Sequence, residues 1–270
     1  MTEYGWVPEG VDITVPDASR VYDYALGGVH NFAVDREFWQ RTEAAFPTAA
    51  QLARANRAFL GRAVRWLSAR GVRQFLDIGS GIPTLGNVHE VAHDANPDAR
   101  VMYVDIDPIA VQQSRSLLDG NPYAGVIEAD LRDPEGILYH PDVLSLIDFS
   151  EPVGVLTVAV LHFVPDSADP VGIVKRLSDA LVSGSHLVLS HLGPDVTTEG
   201  SERLEQARKL YERTPTPVVM RTPREIEALI GDSFELVPPG VVAATDWHPD
   251  PDEADDPRTP VALAAVARKR

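Results

Sequence analysis

The chain has no cysteine among its 270 residues. Disulfides, zinc–thiolate centres, iron–sulfur clusters and cysteine nucleophiles are excluded together, and a reducing, cytoplasmic setting fits. Long apolar runs are missing too. None approaches the ~20 residues that a bilayer-crossing helix needs, so no membrane partner is expected. The start, MTEYGWVPEGVDITVPD, lacks the basic flank and apolar stretch of a secretory signal. Basic residues are in the minority, 24 Lys and Arg against 40 Asp and Glu, for a formal net charge of -16. Phosphate backbones are bound through basic surfaces, so nucleic acid is not an expected partner. Nothing in the sequence sets an oligomeric state.

What is present is a chain 44% hydrophobic, long enough to bury a sizeable core. Residues 1–18 read as irregular. Helical patterns follow from Ser19 and from Asp35, with Gly27 and Gly28 as the stop between them. Residues 47–69 read as a longer amphipathic helix, with Leu52, Phe59, Leu60, Ala63, Val64 and Leu67 at three- and four-residue steps. Arg54, Arg57, Arg62 and Arg65 fall largely between them. Strands then alternate with helices. The strands are 74–79, 100–107, 124–130, 153–161 and 185–192; the helices are 87–95, 108–118, a short one in PDVLSLI, and 170–181. Near-continuous Val, Leu and Ile imply strands buried on both faces, hence a parallel sheet between helical layers. Further helices are expected at 201–214 and 222–230. Two last strands, in FELVPPGVV and TPVALAAVARK, are expected to form an antiparallel pair at one edge. The stretch WHPDPDEADDP between them reads as a solvated loop. The expected organisation is a single domain, with residues 1–70 a helical lid and 71–270 the core.

In an open parallel sheet, ligands bind at the carboxyl ends of the strands where the strand order reverses. The stretch FLDIGSGIPT marks that place. Gly79 and Gly81 let backbone N–H groups approach a ligand, with Ser80 between them. The dinucleotide fingerprint G-x-G-x-x-G is not met, because Thr84 stands at the third glycine position and Pro83 stiffens the loop. No Gly-Lys-Ser/Thr follows, so a P-loop is excluded. There are instead three acids, Asp77, Asp105 and Asp130, on successive strands. Carboxylates there suit a ligand with several donors and a positive charge, and no phosphate. Asp105 is placed to accept from both ribose hydroxyls and Asp130 from an adenine amine, with Ile106 and Leu131 against the ring faces. S-adenosyl-L-methionine fits this description.

FLDIGSG, YVDIDP, IEADLRDP and VLHFVPD resemble successive motifs of class I S-adenosylmethionine-dependent methyltransferases. RVYDYALGGVHNFAVDRE and GSGIPTLGNVHEVAH are similar to a narrower actinobacterial group of S-adenosyl methyltransferases of unknown substrate. The resemblance covers nearly the whole chain. It implies a Rossmann-like α/β three-layer sandwich, with a seven-stranded, mostly parallel sheet and an antiparallel last strand. It also implies that Gly79, Ser80 and Gly81 contact the methionine and ribose portion, that Asp105 holds the ribose, and that Asp77 orients the loop or meets the amino group.

Methyl transfer is an in-line displacement, so positioning supplies much of the rate. His162, after the central strand, is the candidate general base. His191 is a second strand-end histidine expected to face the pocket. Tyr22, His30 and Asn31, from YDYALGGVHNF, are expected to face the pocket from a lid and touch substrate. The run H-E-V-A-H, residues 89–93, has the zinc-protease spacing. With no third ligand evident, its histidines are expected on an outer helix face, and no metal is expected. The acceptor is expected to be a small molecule, methylated at oxygen ahead of nitrogen. The alternatives are a non-catalytic S-adenosylmethionine-binding regulator and an NAD-linked oxidoreductase. The oxidoreductase is disfavoured by the missing third glycine and the absence of any Tyr-x-x-x-Lys.

Overall fold

Three helices come first: α1 (Ala18–Ala25), α2 (Ala33–Ala45) and α3 (Ala49–Ser68). Asp17 caps α1 by accepting from the Ser19 N–H, and the buried pair Arg20–Asp35 ties α1 to α2. The computed structural model describes residues 7, 8, 10–83, 86–195, 197–212, 214–251 and 261–270. Thr84, and residues 252–260 of the acidic loop, lie outside the described residues.

The alternating part contains β1 (Gln74–Ile78), α4 (Val88–Ala95), β2 (Arg100–Asp105), α5 (Pro108–Leu117), β3 (Ala124–Glu128), α6 (Pro134–Leu138), α7 (Pro141–Leu146), β4 (Gly154–Val158), α8 (Pro170–Asp179) and β5 (His186–Leu192). Then come α9 (Thr198–Tyr211), α10 (Pro223–Ile230), β6 (Phe234–Leu236), β7 (Val242–Ala243) and β8 (Ala262–Lys269). The sheet order is β3-β2-β1-β4-β5-β8-β6, with the two-residue β7 paired to β8 off this path. Neighbours among β1 to β5 pair in parallel, whereas β8 is antiparallel to both β5 and β6. The expected Rossmann-like α/β sandwich with an antiparallel last strand is therefore present. The two expected last strands do pair, but β8 lies inside the sheet between β5 and β6, and the three-residue β6 forms that edge.

Alternating side chains face two cores, as a strand's period of two requires. Leu76 and Ile78 of β1, and Leu187 and Leu189 of β5, pack with α8 and α10. Phe75 and Val188 pack with Phe59, Ala63 and Leu67 of α3 on the other side. The order reverses between β1 and β4, so a crevice opens beyond their carboxyl ends.

Three local expectations need correction. The central strand stops at Val158 rather than Leu161, because Ala159 takes a positive φ of 57° and turns the chain. Trp247 is not part of a solvated loop: it is fully buried, edge-on to Phe59 and Trp66. Its carbonyl and that of Ala244 accept from Arg62, a buried cation on the face of α3 that packs on the core. His89 is not on an outer face, because its backbone N–H and Nδ1 both meet the Tyr103 hydroxyl of β2, at 2.8 and 2.7 Å. Glu90 accepts from the Asn87 N–H at the start of α4, and His93 Nε2 lies 2.9 Å from the Ala99 carbonyl. The H-E-V-A-H run thus serves capping and packing, and among the described residues no group of three metal-type ligands exists.

Candidate active site

A cavity of about 320 Å³ lies over the β1/β4 crevice. Its floor is the loop after β1. Gly79 has φ +73°, and a Cβ there would stand 2.4 Å from Val160 Cγ2 on the turn after β4, so only glycine lets the two loops touch. The Gly79 N–H donates to the Val104 carbonyl at 2.8 Å. The Gly81 N–H donates to Asp105 Oδ2 at 2.7 Å, and the Asp107 N–H donates to Oδ1 at 2.8 Å, which fixes the Asp105 carboxylate at the rim. Asp77, Asp105 and Asp130 all line the cavity, as do Gly79, Ser80, Gly81, Ile106 and Leu131.

The acids differ in electrostatic state. Burial pushes Asp77 up to about 7 against the pull of Arg57, with the Asp105 charge adding to the rise. Burial also pushes Asp105 up to about 7, although the N–H groups of Asp107 and Gly81 oppose it. No described residue donates a hydrogen bond to the Asp77 side chain. Asp130 is different. Burial raises it, but Arg132, whose Nε lies 2.9 and 2.8 Å from its two oxygens, outweighs this and leaves it lowered. Ile106 is a large apolar side chain 54% exposed at the mouth, beside buried Leu131.

Past the floor, the cavity runs under Val160, His162 and Phe163 into a space walled by α2, α3 and α9, where Trp39, Phe46, Leu204 and Tyr211 face inward with Met220. His162 is buried, and no described residue bonds either ring nitrogen; Nδ1 is sealed off completely. Burial, then the neighbouring His191 and Arg221, lower its pKa well below the usual imidazole value. His191 does face the cavity. It donates from Nδ1 to the Leu192 carbonyl at 2.8 Å and accepts at Nε2 from Arg221 at 2.9 Å, and burial first lowers it to about 4. Arg221 is itself buried. It also donates to the Leu161 and Val164 carbonyls and to Asp166, pinning the turn that carries His162.

The profile of a family described as S-adenosyl methyltransferase matches residues 4–270 of this chain. The chain belongs to the S-adenosyl methyltransferase family. A crystal structure of a DUF574 family protein from Streptomyces avermitilis is 38% identical, covers 96% of this chain and 99% of its own, and superposes with a TM-score of 0.90. That of a candidate methyltransferase from Thermobifida fusca is 39% identical over 99% of this chain and 100% of its own, also with a TM-score of 0.90. No curated protein matches the chain. The protein is an S-adenosylmethionine-dependent methyltransferase, and S-adenosyl-L-methionine is its cofactor.

The cavity of this methyltransferase suits that cofactor on independent grounds. The Ser80 hydroxyl is buried with no hydrogen-bond partner among the described residues, and the buried Asp77 and Asp105 carboxyls line the cavity beside it. Burial pushes both carboxyls up to about 7, so a ligand that brings a sulfonium, an ammonium and two ribose hydroxyls favours their ionised forms.

Of the expected lid residues, Tyr22 lines the cavity. Its hydroxyl donates to the Ala53 carbonyl at 3.1 Å and accepts from Asn56 Nδ2 at 2.9 Å, so its ring, more than its hydroxyl, is offered. His30 and Asn31 do not line it. Asp23 accepts from the His30 N–H at 2.9 Å and from Asn31 Nδ2 at 2.8 Å, and Asn31 Oδ1 accepts from Arg36. This lock also explains Gly28, where a Cβ would fall 2.0 Å from Asp23 Oδ1. The dense polar segment is a turn folded around a buried acid. Sequence reading missed Asp17, Ser19, Asn56 and Arg57 from the N-terminal helices, and Asp107, all of which line the cavity. Ser19 Oγ donates to Asp107 Oδ2 and joins α1 to the loop after β2. Only their tertiary placement reveals them; the sole signal was the repeated arginine on α3.

Proposed function

We propose that the chain is a single catalytic unit that methylates a hydroxyl oxygen of a small, largely apolar acceptor bound beneath its N-terminal helices. The observation that carries this reading is the continuity of the cavity. It passes from the carboxylate rim, by way of His162, into a chamber faced by Trp39, Phe46, Phe163 and Tyr211. Mainly apolar clefts with a few polar groups suit a compact ligand. A net charge of -16 opposes a polyanionic acceptor.

In this reading Asp105 holds the ribose hydroxyls, Ile106 and Leu131 flank the adenine, Asp130 accepts from its amine, and Gly79 and Ser80 take the chain that leads to sulfur. When bound, S-adenosylmethionine supplies a methyl group on a sulfonium centre. That methyl would go to the acceptor oxygen, the S–CH₃ electron pair staying with sulfur, and His162 would take the hydroxyl proton. The low pKa of His162 suits this place, because a protonated imidazole would oppose the sulfonium. A neutral imidazole accepts the hydroxyl's hydrogen bond, orients a lone pair at the methyl carbon and receives the proton only as transfer makes it acidic.

The test is transfer of labelled methyl from the cofactor to matched phenols, carboxylates and amines. Labelling of phenolic oxygen is expected, with kcat about 10²-fold lower in His162→Ala while cofactor affinity holds. Labelling confined to amines, or equal rates in the variant, contradicts the proposal.

A further inference from the structure

The chamber beyond His162 holds polar side chains among its aromatic walls, and several are already committed to the protein. Thr42 Oγ1 donates to the Phe38 carbonyl at 3.1 Å. Ser190, Asn56 and Tyr22 form one chain. Ser190 Oγ accepts from the Ala159 N–H at 2.9 Å and donates to Asn56 Oδ1, and Asn56 Nδ2 donates to the Tyr22 hydroxyl. His191 is bonded at both ring nitrogens. Tyr211 differs. It lines the same cavity as the last residue of α9, and no described residue bonds its hydroxyl. Burial pushes that hydroxyl up to about 12 with no hydrogen bond to oppose the rise, so at neutral pH it keeps its proton and can donate. Its ring is held in place without a ligand. Phe38 packs edge-on, 4.9 Å between centroids, and the Tyr211 carbonyl accepts from the N–H and Oγ1 of Thr214 at 3.0 and 2.8 Å. Phe163 adjoins both ends of the chamber: its ring centroid lies 6.3 Å from that of Tyr211 and 4.3 Å from that of His162. An imidazole and a phenol donor are thus joined by one aromatic side chain.

We infer that Tyr211 selects the methyl acceptor, its hydroxyl donating to the carbonyl oxygen of a planar hydroxyaryl carbonyl compound whose reacting hydroxyl meets His162. This rests on the reading that the acceptor occupies the chamber. The aromatic walls take the ring of such a compound. A carbonyl oxygen accepts and has no proton of its own to place, which makes it the simplest partner for a lone donor. A hydrocarbon of the same shape would leave the Tyr211 hydroxyl dry and unpaired, so the chamber rejects it by more than the loss of one contact. Shape admits phenols in general, and Tyr211 discriminates among them.

The test is calorimetric binding of two near-isosteric probes, 4-hydroxyacetophenone and 4-ethylphenol, to the full chain saturated with S-adenosylhomocysteine. Wild type and Tyr211→Phe are compared. Wild type is expected to prefer the ketone. The variant is expected to weaken the ketone roughly ten- to hundredfold and to leave 4-ethylphenol within about threefold, so the preference is lost. Its melting temperature is expected to be no lower than that of wild type, because no native hydrogen bond is removed. An affinity ratio unchanged by the substitution, binding of neither probe, or a variant destabilised by the missing hydroxyl overturns the inference. Discrimination as expected, with no methyl passed from S-adenosylmethionine to the phenol oxygen, would support the role of Tyr211 and contradict the oxygen-transfer reading alone.

Discussion

At the scale of single residues, the site depends on groups whose neighbours leave one choice. Gly79 combines a positive φ with contact to Val160. Gly79→Ala is expected to cost about 1–3 kcal/mol from backbone strain, with the displaced Val160 adding to it. Urea unfolding reads the loss, and a stability within a few tenths of a kcal/mol of wild type contradicts the contact. Asp77, Gly79 and Asp105 were legible in the sequence because a strand end fixes where such residues point. His30 and Asn31 were misread because local density of polar side chains looks the same whether it serves a ligand or a buried turn; Asp23 decides it. Arg57 was seen only as one polar position among four, since which face of α3 meets the cavity depends on packing against the sheet.

At the scale of elements, periodicity located the described helices and strands to within a few residues, except the five-residue α6 and the small β7. The overrun of β4 had no local warning, because Ala159 is an ordinary strand residue until Val160 must pack on Gly79. The turn after β4 is held from a distant element instead. Arg221, just before α10, bonds two of its carbonyls, His191 and Asp166. Arg221→Met leaves those buried acceptors unpaired and is expected to cost roughly 2–4 kcal/mol. Because it also frees His162, kcat is expected to fall with little change in cofactor affinity. Loss of cofactor binding with kcat unchanged would show that the turn serves the cofactor and not the acceptor.

At the scale of the whole molecule, the buried acids set opposed pH trends. Asp77 and Asp105 are raised to about 7 in the folded protein, against 3.8 as the starting value. Between about pH 4 and 7 the folded state therefore holds protons that the unfolded chain has released. Their contribution to ligand-free stability falls as pH rises through that window. Cofactor affinity moves the other way, since the cation binds the carboxylates and displaces those protons. From pH 6 to 7.5, melting of the ligand-free protein is expected to weaken while S-adenosylhomocysteine binds more tightly, with net proton release seen in buffers of different ionisation heat. In Asp77→Asn both slopes are expected to flatten; slopes unchanged in that variant would place the titrating groups elsewhere.

The most direct measurement is titration of S-adenosylmethionine into wild-type protein and Asp105→Ala. The carboxylate rim predicts saturable binding to wild type and a loss of about 1.5–3 kcal/mol in the variant, with the fold intact by circular dichroism. Equal affinity in the two folded proteins would contradict it, as would a wild-type site that ignores adenosyl compounds and takes a dinucleotide diphosphate.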